Sequence, residues 1–140
     1  MILYTLIDVK MPVFPKRKVS EWIKQVAASY NKRVGDIAFV FCSDSKILEM
    51  NRQYLTHNYF TDVITFDYSV ESVLSGDIFI SLETVRSNAE KFDVEFCIEL
   101  YRVMIHGVLH LCGIRDSSSF EKDEMARLED KALYIFNIKT

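Results

Sequence analysis

The stretch VEFCIELYRVMIHGVLHLCG, residues 94–113, decides how this chain is read. It reads as one helix over Val94 to Cys112 that stops at Gly113. His106 and His110 stand four residues apart in it. On a helix that separation rotates the side chains by only about 40° and stacks them one turn apart, so both imidazoles can meet one cation. Gly113 can take a left-handed turn at no steric cost. Asp116 follows three residues later, completing the pattern H-x-x-x-H-x-x-G-x-x-D. Two ligands come from a helix and the third returns after the turn. Three protein ligands with an open fourth position characterise a catalytic rather than a structural zinc centre. Cys112 lies two residues past His110, about 200° around the helix, and reads as a core thiol that points away. In proteases built on H-E-x-x-H the residue after the first histidine is the glutamate general base. Here it is Gly107, so peptide hydrolysis by that route has no base.

Working outward, the chain is helical from Leu82 onward. Leu82 to Phe92 forms one segment before the decisive stretch. After it, Ser117-Ser118-Ser119 caps a further helix whose apolar stripe is Phe120, Met125, Leu128, Ala132, Leu133 and Phe136. Strands come earlier. Ile2 to Val9 is β-rich and is broken by Pro12 and Pro15. Ile37 to Cys42 (IAFVFC) is a buried strand, and Val63 to Phe66 is β-branched and aromatic. Asp77 to Ser81 follows a turn at Ser75-Gly76 and pairs with Val63 to Phe66 as a hairpin. Two helices are interposed. Val19, Trp22, Ile23, Val26, Ala27 and Tyr30 recur at helical spacing up to a stop at Gly35, and Ser43-Asp44 opens a second. The expected fold class is α+β: a single two-layer domain over residues 1–140, with a small mixed β-sheet packed against helices and the metal site at the end of a central helix.

Composition agrees with an ordinary globular chain. Of 140 residues, 49% are hydrophobic and 26% charged, enough to bury a core without staples. Three cysteines, an odd number, and no CxxC pair fit a reducing compartment. The N-terminus has no basic n-region and no small-residue cleavage site, and no apolar run approaches the roughly 18 residues of a membrane span. A cytoplasmic location without a membrane partner is expected. The net charge of −3 argues on its face against nucleic acid, but it is skewed. Residues 1–35 hold seven Lys/Arg against two acids, and the remainder ten against eighteen.

The octapeptide His106-Gly107-Val108-Leu109-His110-Leu111-Cys112-Gly113 resembles the HGxLHLxG signature of the YbeY family of bacterial metal-dependent endoribonucleases. Met50-Asn51-Arg52-Gln53-Tyr54 resembles that family's LNxxYR segment. Thr61 to Phe66 resembles its PTDVLSF strand, and Gly76-Asp77-Ile78 its GDI strand. Met125, Glu129 and Leu133 fit its final helix. The pieces occur in the family's order from about residue 47 to the C-terminus. The resemblance implies an α+β metalloprotein with one zinc ion, held at His106, His110 and Asp116, and cleavage of single-stranded RNA. It further implies a role in 16S rRNA 3′-end maturation and ribosome quality control, with the small ribosomal subunit and its assembly factors as partners.

Three positions depart from the family pattern. Asp116 stands where the family has a histidine, and this harder ligand shifts preference toward manganese or similar ions. Leu55 stands where the LNxxYR segment has its arginine. Arg102, one helical turn before His106, stands where many members have a histidine. Arg102 is therefore a candidate phosphate-facing cation that replaces the missing arginine. The alternative is an ion pair with Glu99 or Glu95 on its own helix.

The expected chemistry is phosphodiester hydrolysis by a metal-bound water, with the RNA 2′-hydroxyl as an alternative nucleophile. His57 is the one candidate general base, set against a plain loop histidine. Lys16, Arg17, Lys18 and Arg115 are candidate RNA contacts, as are Lys32, Arg33, Arg86 and Lys91. Tyr54, Tyr59, Phe60 and Tyr68 are candidates for base stacking. Two other readings compete: a ribosome assembly factor whose metal is structural, and a metallohydrolase of another substrate, which Gly107 counts against.

Overall fold

The computed structural model describes residues 1–54 and 62–137, with the Tyr54 side chain left aside. In chain order the elements are β1 (Ile2–Leu6), α1 (Lys16–Ser29), β2 (Arg33–Cys42), α2 (Asp44–Tyr54), β3 (Val63–Asp67), β4 (Val73–Ser81), α3 (Leu82–Lys91), α4 (Phe96–Leu111) and α5 (Ser119–Ile135). The described strands form one mixed sheet in the order β1-β2-β4-β3. β1 and β4 both run parallel to β2. β3 returns antiparallel to β4, with Thr65 opposite Ile78, and this is the hairpin anticipated from the sequence.

The sheet's inward residues alternate with period two along β4, where Leu74, Ile78 and Ile80 are fully buried. They join Ile37, Phe39 and Phe41 of β2 under α1, α4 and α5 in the main core. The opposite side of the sheet carries a smaller cluster in which Ile47 and Met50 of α2 cover Cys42 and Ile64. α1 is tied to α5 by the Trp22 indole N–H, which donates to the Ala132 carbonyl at 2.8 Å. A buried indole keeps its full apolar contribution only when that N–H has a partner.

Some boundaries differ from the sequence expectation. Gly35 does not end α1. The helix stops at Ser29, and Asn31 makes the left-handed turn at φ 60. The Lys32 N–H then reaches the Ala27 carbonyl and the Asn31 N–H the Ala28 carbonyl, both at 3.0 Å. Gly35 instead lies inside β2, where a Cβ would sit 2.7 Å from Val73 and 2.8 Å from the Ser75 hydroxyl. β2 and β4 therefore begin earlier than the apolar runs that betray them. α4 starts at Phe96 rather than Val94, because Asp93 takes the left-handed position that closes α3.

α4 is the central element. From Tyr101 to Leu111 every residue is buried except Arg102, His106 and His110. These three recur every fourth residue, so they form one stripe along the helix. A helix apolar nearly all round belongs in the core, and its one polar stripe marks where the core opens. Among the described residues no helix is long and apolar enough to cross a membrane.

Candidate metal centre

The C-terminal end of α4 is closed by Gly113 at φ +94. The Gly113 N–H bonds the His110 carbonyl at 2.9 Å, and the Ile114 N–H bonds the Leu109 carbonyl at 3.0 Å. This left-handed cap turns the chain back across the helix end. α5 begins just beyond, under a reciprocal cap in which Ser118 accepts from the Glu121 N–H while Glu121 accepts from the Ser118 N–H. Asp116 is held between two fixed helix ends.

Three ligand atoms converge there. The two Nε2 atoms of His106 and His110 lie 3.0 Å apart, and Asp116 Oδ2 lies 3.4 Å from each. All three side chains are half-buried. A tetrahedral ion with bonds of about 2.0–2.1 Å holds its ligand atoms about 3.3 Å apart, so this triangle has the size of one tetrahedral face.

The outer nitrogens of both rings are engaged. His110 Nδ1 is 3.0 Å from the Ile114 carbonyl oxygen, which can only accept, so Nδ1 carries the proton. His106 Nδ1 is 2.6 Å from Glu129 Oε2 and donates to that carboxylate. With both Nδ1 atoms protonated, both Nε2 atoms present lone pairs to each other and to an anionic oxygen. Such a set can accept a cation at its centre. His106 agrees electrostatically. Burial alone would lower its pKa, yet the hydrogen bond and charge of Glu129, with Asp116 and Asp62, leave it raised. The surroundings favour positive charge at this ring. His106, His110 and Asp116 together could hold a metal ion.

Behind His106 lies a small cavity of about 80 Å³ lined by Asp62, Glu99, Arg102, Val103, His106 and Glu129. Glu99 is only 5% exposed, and burial, with the charges of Asp62 and Glu129, pushes its carboxyl up to about 7 despite Arg102. Arg102 does not pair along its own helix with Glu99 or Glu95, as the ion-pair alternative had it. Its guanidinium spans to α5, with Nη1 3.2 Å from Glu129 Oε1 and Nη2 2.7 Å from Asp130 Oδ1. Gly107 faces the sheet, where a Cβ would meet Ile78 at 2.8 Å, and so points away from the ligand triangle. The Cys112 thiol packs on the core and burial pushes it up to about 11, so it stays protonated rather than ligating.

The structure brings together His106, His110 and Asp116, with Arg102 one turn behind. It does not bring Lys16, Arg17 or Lys18 to them. Arg17 and Lys18 line a shallow groove with Trp22 and the end of α5, Ile135 to Asn137. That groove lies about 9 Å further along α5 than Glu129. Lys16 sits over the Phe14 ring at 4.9 Å. Arg115, beside Asp116, is largely exposed and loosely paired with Glu121 at 3.6 Å. Of the other candidate cations, Arg86 sits over the Phe96 ring and Lys91 over the Phe92 ring. Tyr68 is 58% exposed and its hydroxyl donates to Asp77. Leu55, His57, Tyr59 and Phe60 lie outside the described residues, as does the Tyr54 side chain.

Sequence reasoning missed the partnership of Glu129 and Asp130 with the histidine helix. The available signal was Glu129, an acid on the otherwise apolar stripe of Met125, Leu128, Ala132 and Leu133 in the helix that follows the motif.

Comparison with known proteins gives the family. The family model described as Endoribonuclease YbeY matches residues 8–137. An Endoribonuclease YbeY of Bacteroides thetaiotaomicron is 58% identical over 132 residues, spanning 94% of this chain and 96% of that one. One from Phocaeicola vulgatus is 56% identical over 138 residues, spanning 99% of this chain and all of that one. A solution structure from Thermotoga maritima shares the fold with TM-score 0.64 at 24% identity, covering 98% of this chain and 92% of that one.

Proposed function

Because the chain belongs to the YbeY family of endoribonucleases, we propose that it is a zinc-dependent endoribonuclease of single-stranded RNA, acting in 16S rRNA 3′-end maturation and ribosome quality control. The observation that carries the metal assignment is the triangle of His106 Nε2, His110 Nε2 and Asp116 Oδ2, with both outer ring nitrogens already engaged. Bound there, a zinc ion would supply Lewis-acid polarisation of a phosphoryl oxygen and activate water near neutral pH.

The chain's own residues do the rest. The two imidazoles offer neutral Nε2 lone pairs, and Asp116 adds one negative charge. The Ile114 carbonyl fixes the plane of the His110 ring, and Glu129 that of His106. Asp116 is harder than the family's histidine, which widens the accepted metals toward manganese. The basic residues of α1, Lys16, Arg17 and Lys18, together with Arg115, contact the phosphate backbone and make RNA affinity fall with salt. Residues 1–140 act as one domain, in the cytoplasm, with the small ribosomal subunit and its assembly factors as partners.

The test is cleavage of a single-stranded RNA by purified protein before chelation, after chelation, and after zinc is restored. A His106→Ala protein purified in parallel guards against contaminating ribonucleases. Cleavage that follows the metal and is absent from the variant supports the assignment. Chelator-resistant cleavage that persists in the variant overturns it.

A further inference from the structure

The polar stripe of α4 contains one residue that is not in the ligand triangle, Arg102. We propose that Arg102 is a positioning residue for the metal centre, acting through Glu129 on His106, and is not a contact for the RNA phosphate. This rests on the reading of His106 as a metal ligand.

The geometry is a chain of contacts between α4 and α5. Asp130 Oδ1 and Glu129 Oε1 share the two terminal nitrogens of Arg102 at 2.7 and 3.2 Å. The second Glu129 oxygen, Oε2, accepts from His106 Nδ1 at 2.6 Å. Each Glu129 oxygen therefore has its own partner, and the carboxylate plane is fixed from both sides. A freely rotating glutamate would let the His106 ring turn about its last side-chain bond. A glutamate clamped by a planar guanidinium holds the ring with Nε2 toward His110 and Asp116. Burial sharpens the point. Glu129 is only 8% exposed, and a buried carboxylate needs a compensating charge. Among the described residues that line the cavity, Arg102 and His106 are the ones that can carry a positive charge.

The same geometry argues against a phosphate role. Both terminal nitrogens of the fork that would grip a phosphate already hold carboxylates. A phosphate approaching Arg102 would also meet Glu129 and Asp130 and be repelled. Arg115, 75% exposed beside Asp116, has only a loose contact to Glu121, at 3.6 Å from Nε.

The test measures metal affinity, not cleavage. Wild type, Arg102→Ala, Arg102→Lys and Asp130→Asn are stripped of metal, checked for folding by circular dichroism, and titrated with zinc against a chromophoric chelator. Cobalt(II) binding is followed in parallel by its visible absorption, which reports ligand geometry. Arg102→Ala should weaken zinc binding by about 10–100-fold and alter the cobalt spectrum. Arg102→Lys keeps the charge without the fork and should recover part of the loss. Asp130→Asn, at an exposed position, should lose less than Arg102→Ala. RNA binding of the zinc-saturated Arg102→Ala protein should keep the wild-type salt dependence. Unchanged zinc affinity and an unchanged cobalt spectrum in a folded Arg102→Ala protein would overturn the proposal, as would a shallower salt dependence of RNA binding. If wild type itself binds neither metal, it is the ligand assignment that fails.

Discussion

At His106 the two ring nitrogens have separate tasks: Nδ1 is held by Glu129 and Nε2 faces the ligand triangle. Close by, burial and then the charges of Asp62 and Glu129 push the Glu99 carboxyl up. Its folded pKa of about 7 lies above its ordinary 4.5, so the folded state holds the proton more tightly than the unfolded chain. A carboxyl shifted in this direction costs nothing below about pH 4.5. Its penalty grows between 4.5 and 7 and is complete above that. Glu99→Gln should therefore raise stability by about 1–3 kcal/mol at pH 8 and leave it nearly unchanged at pH 4.5, as read from urea midpoints at the two pH values. Gly107 is fixed by another kind of constraint. An alanine there gains up to about 1 kcal/mol of helix propensity, but its Cβ would press on the fully buried Ile78, and overpacking costs about 1–3 kcal/mol. Gly107→Ala should lower stability by about 1–2 kcal/mol in the same assay.

At the scale of elements, the cap of α4 sets the ligand spacing. Gly113 occupies φ +94 in open space, so a substitution there is opposed by backbone conformation alone. Gly113→Ala should cost about 1 kcal/mol of stability and weaken zinc binding, because Asp116 depends on that turn; chelator competition reads the second effect. Much of this was legible in the sequence, because it is local. The His106–His110 spacing, the stop at Gly113 and the Ser118 cap all act within one or two helical turns. The hairpin of β3 and β4 was visible from its short separation. Helix ends at Asn31 and Asp93 were not, since asparagine and aspartate do in those turns what glycine does at Gly113. The early start of β2 was hidden because its first residues are charged or half-exposed, and that of β4 because Ser75-Gly76 reads as a turn. The acid on the stripe of α5 was visible, but its place in the Arg102–Glu129–His106 chain was not, for a different reason. The chain's members lie 23 and 27 residues apart, and only the crossing of α4 and α5 joins them.

For the molecule as a whole, the net charge of −3 turns out to say little about a polyanionic partner. The acids include Glu99, Asp116 and Glu129, which gather around the candidate metal centre, while the basic excess lies on α1 and the segments flanking it. Metal bound at a site gathered from α4 and the turn after it, and braced by Glu129 of α5, should couple to folding. Zinc at about 100 times its dissociation constant should add about 2.7 kcal/mol and raise the melting temperature by roughly 5–10 °C, reversed by chelator. A calorimetric scan checks this, and the His110→Ala protein should show no such rise. On the proposed function, RNA cleavage depends on the centre of His106, His110 and Asp116. The most direct measurement is the rate of single-stranded RNA cleavage by zinc-loaded wild type beside folded His110→Ala, purified identically. Wild type should cleave the RNA, and the variant should show no cleavage above background. Equal cleavage by the two proteins would contradict this dependence.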